Sequence, residues 1–279
     1  RKKSKKYLAL TRFNFIISDM DLILAGKVFI VTGGAKGIGA AISKGLAADK
    51  GIVVVAGRNK QDNQAVVDEI IKSGGKAPSV AAELAKAEAC KEVIDFTVEK
   101  YGKIDGLINN AGVNDGVGLE KGSPEKFFES LHKNLSHYYN LAHYALPHLK
   151  KTKGSIVNVG SKVAVTGQGN TSGYAASKGA INALTREWAV ELLPYSIRVN
   201  TVLPAEVWTP LYESWINTLP NPKEKLAQIV AKIPYEKRFT TSEEIANTVI
   251  FLLSDRSSHT TGQILFVDGG YTHLDRSLT

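Results

Sequence analysis

The chain has 279 residues, of which 43% are apolar and 22% are charged. The apolar fraction is too high for a disordered chain. The sequence has neither the glycine repeat of collagen nor a long uncharged apolar run that could span a membrane. The single cysteine, Cys90, excludes an internal disulfide and a thiolate metal cluster. We therefore expect a globular protein of a reducing, cytoplasmic compartment.

The formal net charge of +8 is concentrated at the N-terminal end of the chain. Residues 1–19 contain six basic residues and one acidic residue, whereas the remainder is nearly balanced. A basic arm could bind nucleic acid or a membrane surface. However, the only methionine, Met20, stands shortly before the first predicted strand. We therefore interpret residues 1–19 as an extension that is disordered or was introduced by cloning, and we expect no nucleic-acid or membrane partner.

Short β-branched runs alternate with longer amphipathic stretches along residues 20–279. The predicted strands are 28–32, 52–56, 77–81, 104–108, 155–159, 197–202 and 264–267. Helices are predicted near 37–49, 61–73, 86–101, 124–150, 173–193 and 242–253, with a helical lid near 209–240. This alternation is typical of right-handed crossovers in a parallel sheet. The pattern predicts one α/β domain, a Rossmann-type, doubly wound seven-stranded parallel sheet flanked by helices on both faces.

A glycine-rich turn follows the first strand. Gly33, Gly37 and Gly39 form the spacing G-x-x-x-G-x-G directly after Thr32. Glycines let the backbone approach a phosphate closely, and the N-terminus of the following helix offers free N–H groups. The turn therefore predicts a nucleotide site, although a tight turn without a ligand has the same local pattern. Its spacing differs from G-x-G-x-x-G.

Further motifs follow in chain order. Asn109-Asn110-Ala111-Gly112 follows the fourth strand, and Asn134 lies in the next long helix. Ser161 follows the fifth strand and precedes Tyr174 by 13 residues, and Lys178 completes the motif Y-x-x-x-K. Pro204 after the sixth strand and the V-D-G-G motif at 267–270 end the series. Together with the glycine-rich turn, this order resembles the short-chain dehydrogenase/reductase family, which implies an NAD(P)-dependent oxidoreductase.

The candidate catalytic residues are Asn134, Ser161, Tyr174 and Lys178. Tyr174 and Lys178 are four residues apart, so their side chains project from one helical face. A nearby ammonium favours the phenolate and should lower the tyrosine pKa from about 10, which makes Tyr174 a usable general base. The resemblance implies that Lys178 also holds the nicotinamide ribose, that Ser161 hydrogen-bonds the reacting oxygen and that Asn134 anchors a water in the proton relay.

The resemblance also implies a set of cofactor-binding residues: Gly33, Lys36, Gly37, Ile38, Gly39, Arg58, Glu83, Leu84, Asn110, Ala111, Gly112, Tyr174, Lys178, Pro204, Val207 and Thr209. Three positions depart from the usual family pattern. Gly160 replaces a serine, Ala205 replaces a glycine, and Glu83 replaces an aspartate that meets adenine, so adenine recognition is the least certain part of this set.

The cofactor is expected to be NADP in preference to NAD. NAD enzymes place an acidic residue at the end of the second strand, where it binds the adenosine ribose hydroxyls. Gly57 stands at that position and Arg58 follows it. An arginine can bind a 2′-phosphate bidentately, and Lys36 could add a second charge. Two solvated surface cations and use of both cofactors remain the alternative.

Within the family, the stretches 114–116, 166–174, 204–211 and 259–276 resemble bacterial L-fucose dehydrogenase-type sugar dehydrogenases. This resemblance implies oxidation of a free aldose at C1, with candidate substrate residues Asn114, Gln168, Asn170, Glu206 and Trp208. Their polar groups would stay unpaired against an apolar ligand but would be satisfied by sugar hydroxyls. These residues could instead only close a polar turn.

Two alternatives stay open. The first is a 3-oxoacyl carrier-protein reductase or another small alcohol or ketone dehydrogenase of the same family, and the second is a catalytically silent scaffold with the same fold. No metal is expected, because the spacing of His132, His137, His143 and His148 does not place ligands on one helical face. The family resemblance implies a homotetramer.

Overall fold

The computed structural model describes residues 21–275, so the prediction for residues 1–19 lies outside the described residues. The strands are β1 (Val28–Thr32), β2 (Ile52–Gly57), β3 (Ser79–Ala81), β4 (Gly106–Asn109), β5 (Ser155–Val159), β6 (Arg198–Pro204) and β7 (Ile264–Val267). The α-helices are α1 (Gly37–Ala48), α2 (Lys60–Lys72), α3 (Ala87–Tyr101), α4 (Pro124–Leu131), α5 (His137–Thr152), α6 (Ser172–Glu191), α7 (Pro210–Ile216), α8 (Pro222–Ala231) and α9 (Ser242–Leu253).

The strands form one parallel sheet in the order β3-β2-β1-β4-β5-β6-β7. The predicted Rossmann-type doubly wound fold is therefore confirmed. The chain builds outward from β1 to β3 and then returns to add β4 on the other side of β1. The loops after β1 and β4 consequently diverge, and this reversal of strand order leaves a crevice at the carboxyl ends of the strands.

Helices cover both faces of the sheet because the strand side chains alternate between two cores. Phe29 and Val31 of β1 belong to the core shared with α1, α2 and α9, whereas Ile30 belongs to the core shared with α3, α5 and α6. The strands are mostly apolar on both sides, as expected for a parallel sheet. Within residues 21–275, no helix is long and apolar enough to cross a membrane.

The predicted helix over 124–150 is wrong in one respect, because it is interrupted. A π-helical turn at His132–Ser136 separates α4 from α5. Such turns insert one extra residue and are frequent at functional sites. This interruption places the candidate catalytic residue Asn134 in the π-helical turn.

Two strands begin later than predicted. Strand β3 starts at Ser79, directly after Pro78, because proline has no N–H to donate to a sheet ladder. Strand β4 starts at Gly106, because the Asp105 carboxylate accepts the Val28 N–H at 2.8 Å and so replaces a ladder bond.

The segment predicted as a lid carries the two helices α7 and α8. A parallel bridge between Val207 and Thr240 closes its base, and Thr209 caps α7 by accepting the Tyr212 N–H at 3.2 Å. The segment therefore leaves and rejoins the sheet domain at neighbouring points. This geometry suits a cover over the strand ends.

Candidate active site

A cleft of about 660 Å³ lies at the carboxyl ends of the central strands. Its walls bring together all but one of the predicted catalytic and cofactor residues, although they come from distant parts of the chain. The predicted residues in the walls are Gly33, Lys36, Gly37, Ile38, Gly39, Arg58, Glu83, Leu84, Asn110, Ala111, Gly112, Ser161, Tyr174, Lys178, Pro204, Val207 and Thr209. Asn134 is the exception, since it is buried behind the wall.

The glycine-rich turn is fixed to the loop after β4 by a buried hydroxyl. The Thr32 hydroxyl donates to the Ile108 carbonyl at 3.2 Å and accepts the N–H groups of Asn110 and Ala111 at 2.9 and 3.1 Å. The Asn110 amide in turn donates to the Thr32 carbonyl at 2.9 Å. These bonds hold the two loops of the crevice rigidly together.

Two glycines of the turn occupy positions that no side chain can share. A Cβ at Gly39 would collide with the Gly33 carbonyl oxygen, and one at Gly37 would lie 3.0 Å from Thr209 Cγ2. Gly37 also has φ +50°, in the region that favours glycine. The helix α1 that starts here has no side-chain cap and no acidic residue in its first turn. An uncapped helix end behind a glycine cradle fits a dinucleotide pyrophosphate.

Two cations and two carboxylates flank the far end of the cleft. Lys36 pairs with Asp62 at 2.7 Å, and the Arg58 guanidinium lies 3.9 Å from the Glu83 carboxylate. The Arg58 side chain is 72% exposed, so a ligand can reach it without breaking a buried contact. Each cation already has a carboxylate nearby, which reduces the net positive potential that the sequence alone implied.

Three candidate catalytic side chains meet at the other end of the cleft. Ser161 lies two residues after the end of β5 and caps a short 3₁₀ turn, whereas Tyr174 and Lys178 lie on α6. Lys178 Nζ lies 5.5 Å from the centre of the Tyr174 ring. A hydrogen bond links Tyr174 and Ser161. A hydroxyl group bound here would face both a tyrosine and a serine, which suits proton transfer at a single oxygen.

Lys178 is buried and held at two points. Its ammonium donates to the Val159 carbonyl at 2.9 Å and to the Tyr138 hydroxyl at 3.2 Å. Burial lowers the pKa of Lys178 to about 7. The amine therefore exchanges its proton near neutral pH.

The predicted lowering of the Tyr174 pKa is wrong for this structure. Burial raises the pKa of Tyr174, and the hydrogen bond with Ser161 only partly opposes this. The reason is that burial of the phenol disfavours its charged form. An amine that is partly neutral near pH 7 gives less support to a phenolate than a full positive charge does.

Asn134 supports the site from behind the cleft. Its amide oxygen accepts the Val113 N–H at 2.7 Å, and its nitrogen donates to the Ser130 carbonyl at 3.0 Å. A Cβ at Gly112 would lie 3.1 Å from the Asn134 amide oxygen and 3.7 Å from Lys178 Nζ. Asn134 thereby fixes the loop after β4 close to the lysine.

The predicted substrate residues lie outside the described walls of the cleft. Asn114, Gln168 and Asn170 are exposed in loops. Trp208 is 40% exposed and packs edge-on against Phe239, with 5.3 Å between the two ring centres. Glu206 is buried, although it lies between two cleft residues in the chain. Their contact with a substrate stays a prediction.

Sequence reasoning missed the partner of Glu206. Lys162, the residue after Ser161, forms an ion pair with Glu206, and both side chains are almost fully buried. The Lys162 ammonium nitrogen lies 4.0 Å from the centre of the Tyr271 ring, in a cation–π contact. Tyr212 of α7 forms a hydrogen bond with Glu206. The 44-residue separation gives no local signal. This charged cluster joins the catalytic loop, the lid and the C-terminal segment.

Sequence reasoning also missed the position of His137 beside the catalytic residues. Its ring lines the cleft and is 1% exposed. The signal that could have found it is its position three residues after Asn134, on the same helical face. The structure brings it beside Lys178, which helps to lower the His137 pKa.

Comparison with known proteins agrees with this geometry. Residues 33–272 match the family described as enoyl-(acyl carrier protein) reductase. The chain is 37% identical to the 3-oxoacyl-[acyl-carrier-protein] reductase FabG of Thermotoga maritima over 88% of this chain and 98% of that protein. It is 33% identical to the L-fucose dehydrogenase of Oryctolagus cuniculus over 88% of this chain and 85% of that protein.

A solved structure named Cj0485 dehydrogenase superposes with a TM-score of 0.88. It is 45% identical in sequence and covers 93% of this chain and 99% of its own. The chain therefore belongs to the short-chain dehydrogenase/reductase family. It is an NAD(P)-dependent dehydrogenase or reductase, as the sequence motifs predicted.

Proposed function

We propose that this enzyme oxidises a free, L-fucose-like aldose at C1 to the lactone, with NADP preferred over NAD. The observation that carries the proposal is the buried Lys162–Glu206 pair beside Ser161. Lys162 follows the catalytic serine, and Glu206 lies between the cleft residues Ala205 and Val207. Sugar hydroxyls could share the hydrogen bonds of this polar pair, whereas an acyl chain would gain nothing from it.

The aromatic side chains of the lid support the same substrate. Trp208 and Tyr212 lie with their ring centres 6.0 Å apart, and Phe239 packs against both. Aromatic faces bind the apolar C–H faces of a compact ring, while the polar wall binds its hydroxyls. Trp208 keeps 40% of its surface exposed and is the residue of this group most accessible to a ligand.

Each catalytic residue has one role in the oxidation. Tyr174 takes the proton from the C1 hydroxyl, Ser161 hydrogen-bonds the same oxygen, and Lys178 exchanges the proton with Tyr174. The nicotinamide, when bound, supplies the hydride acceptor. When the cofactor is bound, the glycine-rich turn, Asn110 and Ala111 would hold its pyrophosphate and adenosine, and Thr209 would hold it from the side of the lid. Asn134 holds the loop that confines Lys178.

The preference for NADP is supported by Arg58 and by the absence of an acidic residue at the end of β2. Gly57 takes that position, and its carbonyl accepts the Asn63 amide at 2.9 Å. A Cβ at Gly57 would lie 2.8 Å from the Asn63 oxygen, so the packing disfavours an acidic side chain here. Arg58 is exposed and directed at the same end of the cleft, where a 2′-phosphate could bind it bidentately.

A second candidate is reduction of a 3-oxoacyl thioester on a carrier protein. The 37% identity to the Thermotoga maritima reductase favours it. The exposed apolar residues of α7, Leu211 and Trp215, would suit an acyl chain. The same Tyr174, Ser161 and Lys178 would then deliver a proton to the carbonyl oxygen instead of removing one.

The protein is further proposed to work as a cytoplasmic homotetramer. The outer faces of α5 and α6 expose Tyr139 and Val190, and Leu193 follows α6 with 58% exposure. Exposed apolar groups on neighbouring helices are typical of subunit interfaces. Light scattering on the purified protein tests the assembly, and a monomeric mass would refute it.

The function is tested by measuring NAD(P)H formation under identical conditions with L-fucose, L-galactose, D-arabinose and simple secondary alcohols. Oxidation of NADPH with acyl thioesters is measured in parallel. We expect the aldoses to react fastest and to differ among epimers. Activity confined to thioesters or hydrophobic ketones would refute the sugar assignment and support the carrier-protein reductase.

The role of Tyr174 is tested separately with Tyr174→Phe. Loss of the phenol oxygen should reduce kcat by about 10²-fold or more, because it removes the general base. Binding of the cofactor should change little. Tyr235→Phe, an exposed tyrosine outside the cleft, is the matched control and should keep normal turnover. Near-normal turnover of Tyr174→Phe would refute the mechanism.

A further inference from the structure

The loop that follows β4 and its N-N-A-G motif is fixed at both ends to elements that carry candidate catalytic residues. At its start, the Val113 N–H donates to the Asn134 amide oxygen at 2.7 Å. Four residues later, the Val117 carbonyl accepts the N–H of Gly173 at 3.2 Å. Gly173 directly precedes Tyr174. The loop therefore bridges the π-helical turn and the start of α6.

A buried serine holds the middle of the same loop. Ser130 is the penultimate residue of α4 and is 0% exposed. Its hydroxyl donates to the Asp115 carboxylate at 2.9 Å, and its carbonyl accepts the Asn134 amide at 3.0 Å. A hydrogen bond to a charged acceptor is stronger than one between neutral groups. Ser130 thus joins the loop to the end of α4 and to the residue that anchors the start of the loop.

Ser130 also packs against the residue before Tyr174. A Cβ at Gly173 would lie 2.6 Å from both the Cβ and the Oγ of Ser130, which is closer than such atoms can approach. Glycine at this position therefore lets the start of α6 lie directly on α4. A serine that only filled this space would need no hydroxyl, because the Cβ alone makes this contact.

We propose that Ser130 and Asp115 are positioning residues that set the distance between the loop after β4 and Tyr174. The proposal rests on the proposed role of Tyr174 in proton transfer but on no particular substrate. Ser130 fixes Tyr174 through the contact with Gly173, and it fixes the loop through the Asp115 carboxylate. A substrate oxygen must lie within hydrogen-bond distance of Tyr174, so a small shift of either side would misalign it.

The positioned loop carries a predicted substrate residue. Asn114 directly precedes the anchor at Asp115, and Gly118 packs on the backbone of Asn170, a second predicted substrate residue. A Cβ at Gly118 would lie 2.9 Å from Asn170 Cα. Ser130 and Asp115 themselves lie outside the cleft walls, so they act through these neighbours. We therefore expect their loss to affect the substrate and to leave cofactor binding unchanged.

The test is a double-mutant cycle in the full chain. Ser130→Ala removes the hydroxyl but keeps the Cβ, and Asp115→Ala removes the acceptor. Each should lower kcat/KM for the substrate by about tenfold. The double variant should lose no more than either single variant, because both remove the same hydrogen bond. Asp115→Asn keeps an acceptor oxygen and should retain about half of the wild-type value or more. Effects that multiply in the double variant would overturn the proposal.

A serine at the other end of α4 supplies the matched control. The Ser123 hydroxyl caps this helix by accepting the Lys126 N–H at 3.3 Å. Ser123→Ala should lower Tm and leave kcat/KM unchanged, since it weakens the helix without touching the loop. Rates are measured with L-fucose and NADP and with a 3-oxoacyl thioester and NADPH, and the faster pair is used. In every variant the KM for the cofactor should stay within about twofold.

The contact with Gly173 is tested by moving one methyl group across it. Gly173→Ala places a Cβ against Ser130 and should lower kcat/KM by about tenfold or more. Adding Ser130→Gly removes the atoms that this Cβ would meet. The double variant should recover to the level of Ser130→Ala, because only the hydroxyl is then missing. A double variant no more active than Gly173→Ala would overturn the contact.

Hydrogen exchange gives a readout that does not need turnover. The N–H groups of Val113 and Gly173 are the donors at the two ends of the loop, so their exchange reports its attachment. In Ser130→Ala both should exchange about tenfold faster, whereas Ser123→Ala should match the wild type. Wild-type exchange or wild-type kcat/KM in Ser130→Ala would each overturn the proposal.

Measuring Tyr174→Phe alongside separates this proposal from the proposed function. If Tyr174→Phe is inactive while Ser130→Ala behaves as the wild type, the proposed mechanism stands and the positioning pair fails. If Tyr174→Phe is itself active, both fail. If only the thioester reacts and Ser130→Ala slows it, the sugar assignment fails and the positioning pair stands.

Discussion

Removing one partner of the Lys162–Glu206 pair should destabilise the protein strongly. The side chains of Lys162 and Glu206 are 12% and 10% exposed, so water screens either charge poorly once its partner is gone. Glu206→Gln keeps the shape of the side chain but removes the negative charge, which leaves the Lys162 ammonium with a neutral amide and the Tyr271 ring as its neighbours. The free energy of unfolding should fall by about 3–5 kcal/mol, the usual range for breaking a buried pair.

The magnitude can be measured by urea denaturation and thermal unfolding. A loss of this size lowers Tm by roughly 6–20 °C in a chain of this length. The double variant Lys162→Met with Glu206→Gln removes both charges. It should lose less stability than the sum of the two single variants, by about 2 kcal/mol or more, because no unpaired charge is left buried.

A matched control is the exposed pair formed by Lys91 and Asp95 at 2.6 Å. Asp95→Asn should leave Tm almost unchanged, since exposed pairs contribute little. The reasoning would be refuted if Glu206→Gln were as stable as the wild type. It would equally be refuted if the two single effects simply added in the double variant.

Two further predictions concern the ends of the cleft. Arg58→Ala should raise the KM for NADP by about tenfold or more and change the KM for NAD less than twofold, because the guanidinium would bind only the 2′-phosphate. Steady-state kinetics with both cofactors checks this, and Lys60→Ala, outside the cleft walls, is the control. Equal effects of Arg58→Ala on the KM for NADP and the KM for NAD would contradict the prediction. Lys178→Met should abolish turnover yet stabilise the fold by up to about 5 kcal/mol at pH 7, because burial lowers the pKa of Lys178 from 10.5 to about 7. Between pH 7 and 10.5 the lysine is protonated in the unfolded chain but neutral in the folded protein. The gain in the free energy of unfolding should therefore be largest at or below pH 7 and disappear as the pH rises to 10.5. A gain that does not depend on pH in urea titrations would refute this prediction.

The sequence predicted the fold and the cofactor end of the site because their signals are local. The glycine-rich turn after β1 and the Asn109–Gly112 motif after β4 each sit at a strand end, and parallel strands bring such ends together. The packing around Gly39 also follows from the turn itself. The motifs therefore already mark the residues that the strand order brings together at the edge of the sheet.

The substrate end depended on contacts that no spacing reveals. Glu206 was predicted to bind a sugar, but its structural partner, Lys162, lies 44 residues earlier in the chain. The Tyr174 pKa was predicted to fall, but burial of Tyr174 raises it, and burial also lowers the pKa of the neighbouring Lys178. Burial is a property of the whole fold. The four-residue spacing on one helix therefore predicts that Lys178 lies beside Tyr174, but it does not predict the protonation state of Lys178.

Several buried ionisable residues that stabilise the fold poorly lie on the elements that carry the catalytic residues. Lys178 is buried with a lowered pKa, the His137 side chain is almost fully buried, and Lys162 and Glu206 are buried as a pair. Apolar residues of similar volume would stabilise the fold as well or better at each position. Elsewhere the described strands are mostly apolar, and buried polar strand residues such as Asn158 have hydrogen-bond partners. Such local departures from good packing are what the proposed proton transfer and polar substrate binding would require, since both need groups that an apolar core would exclude.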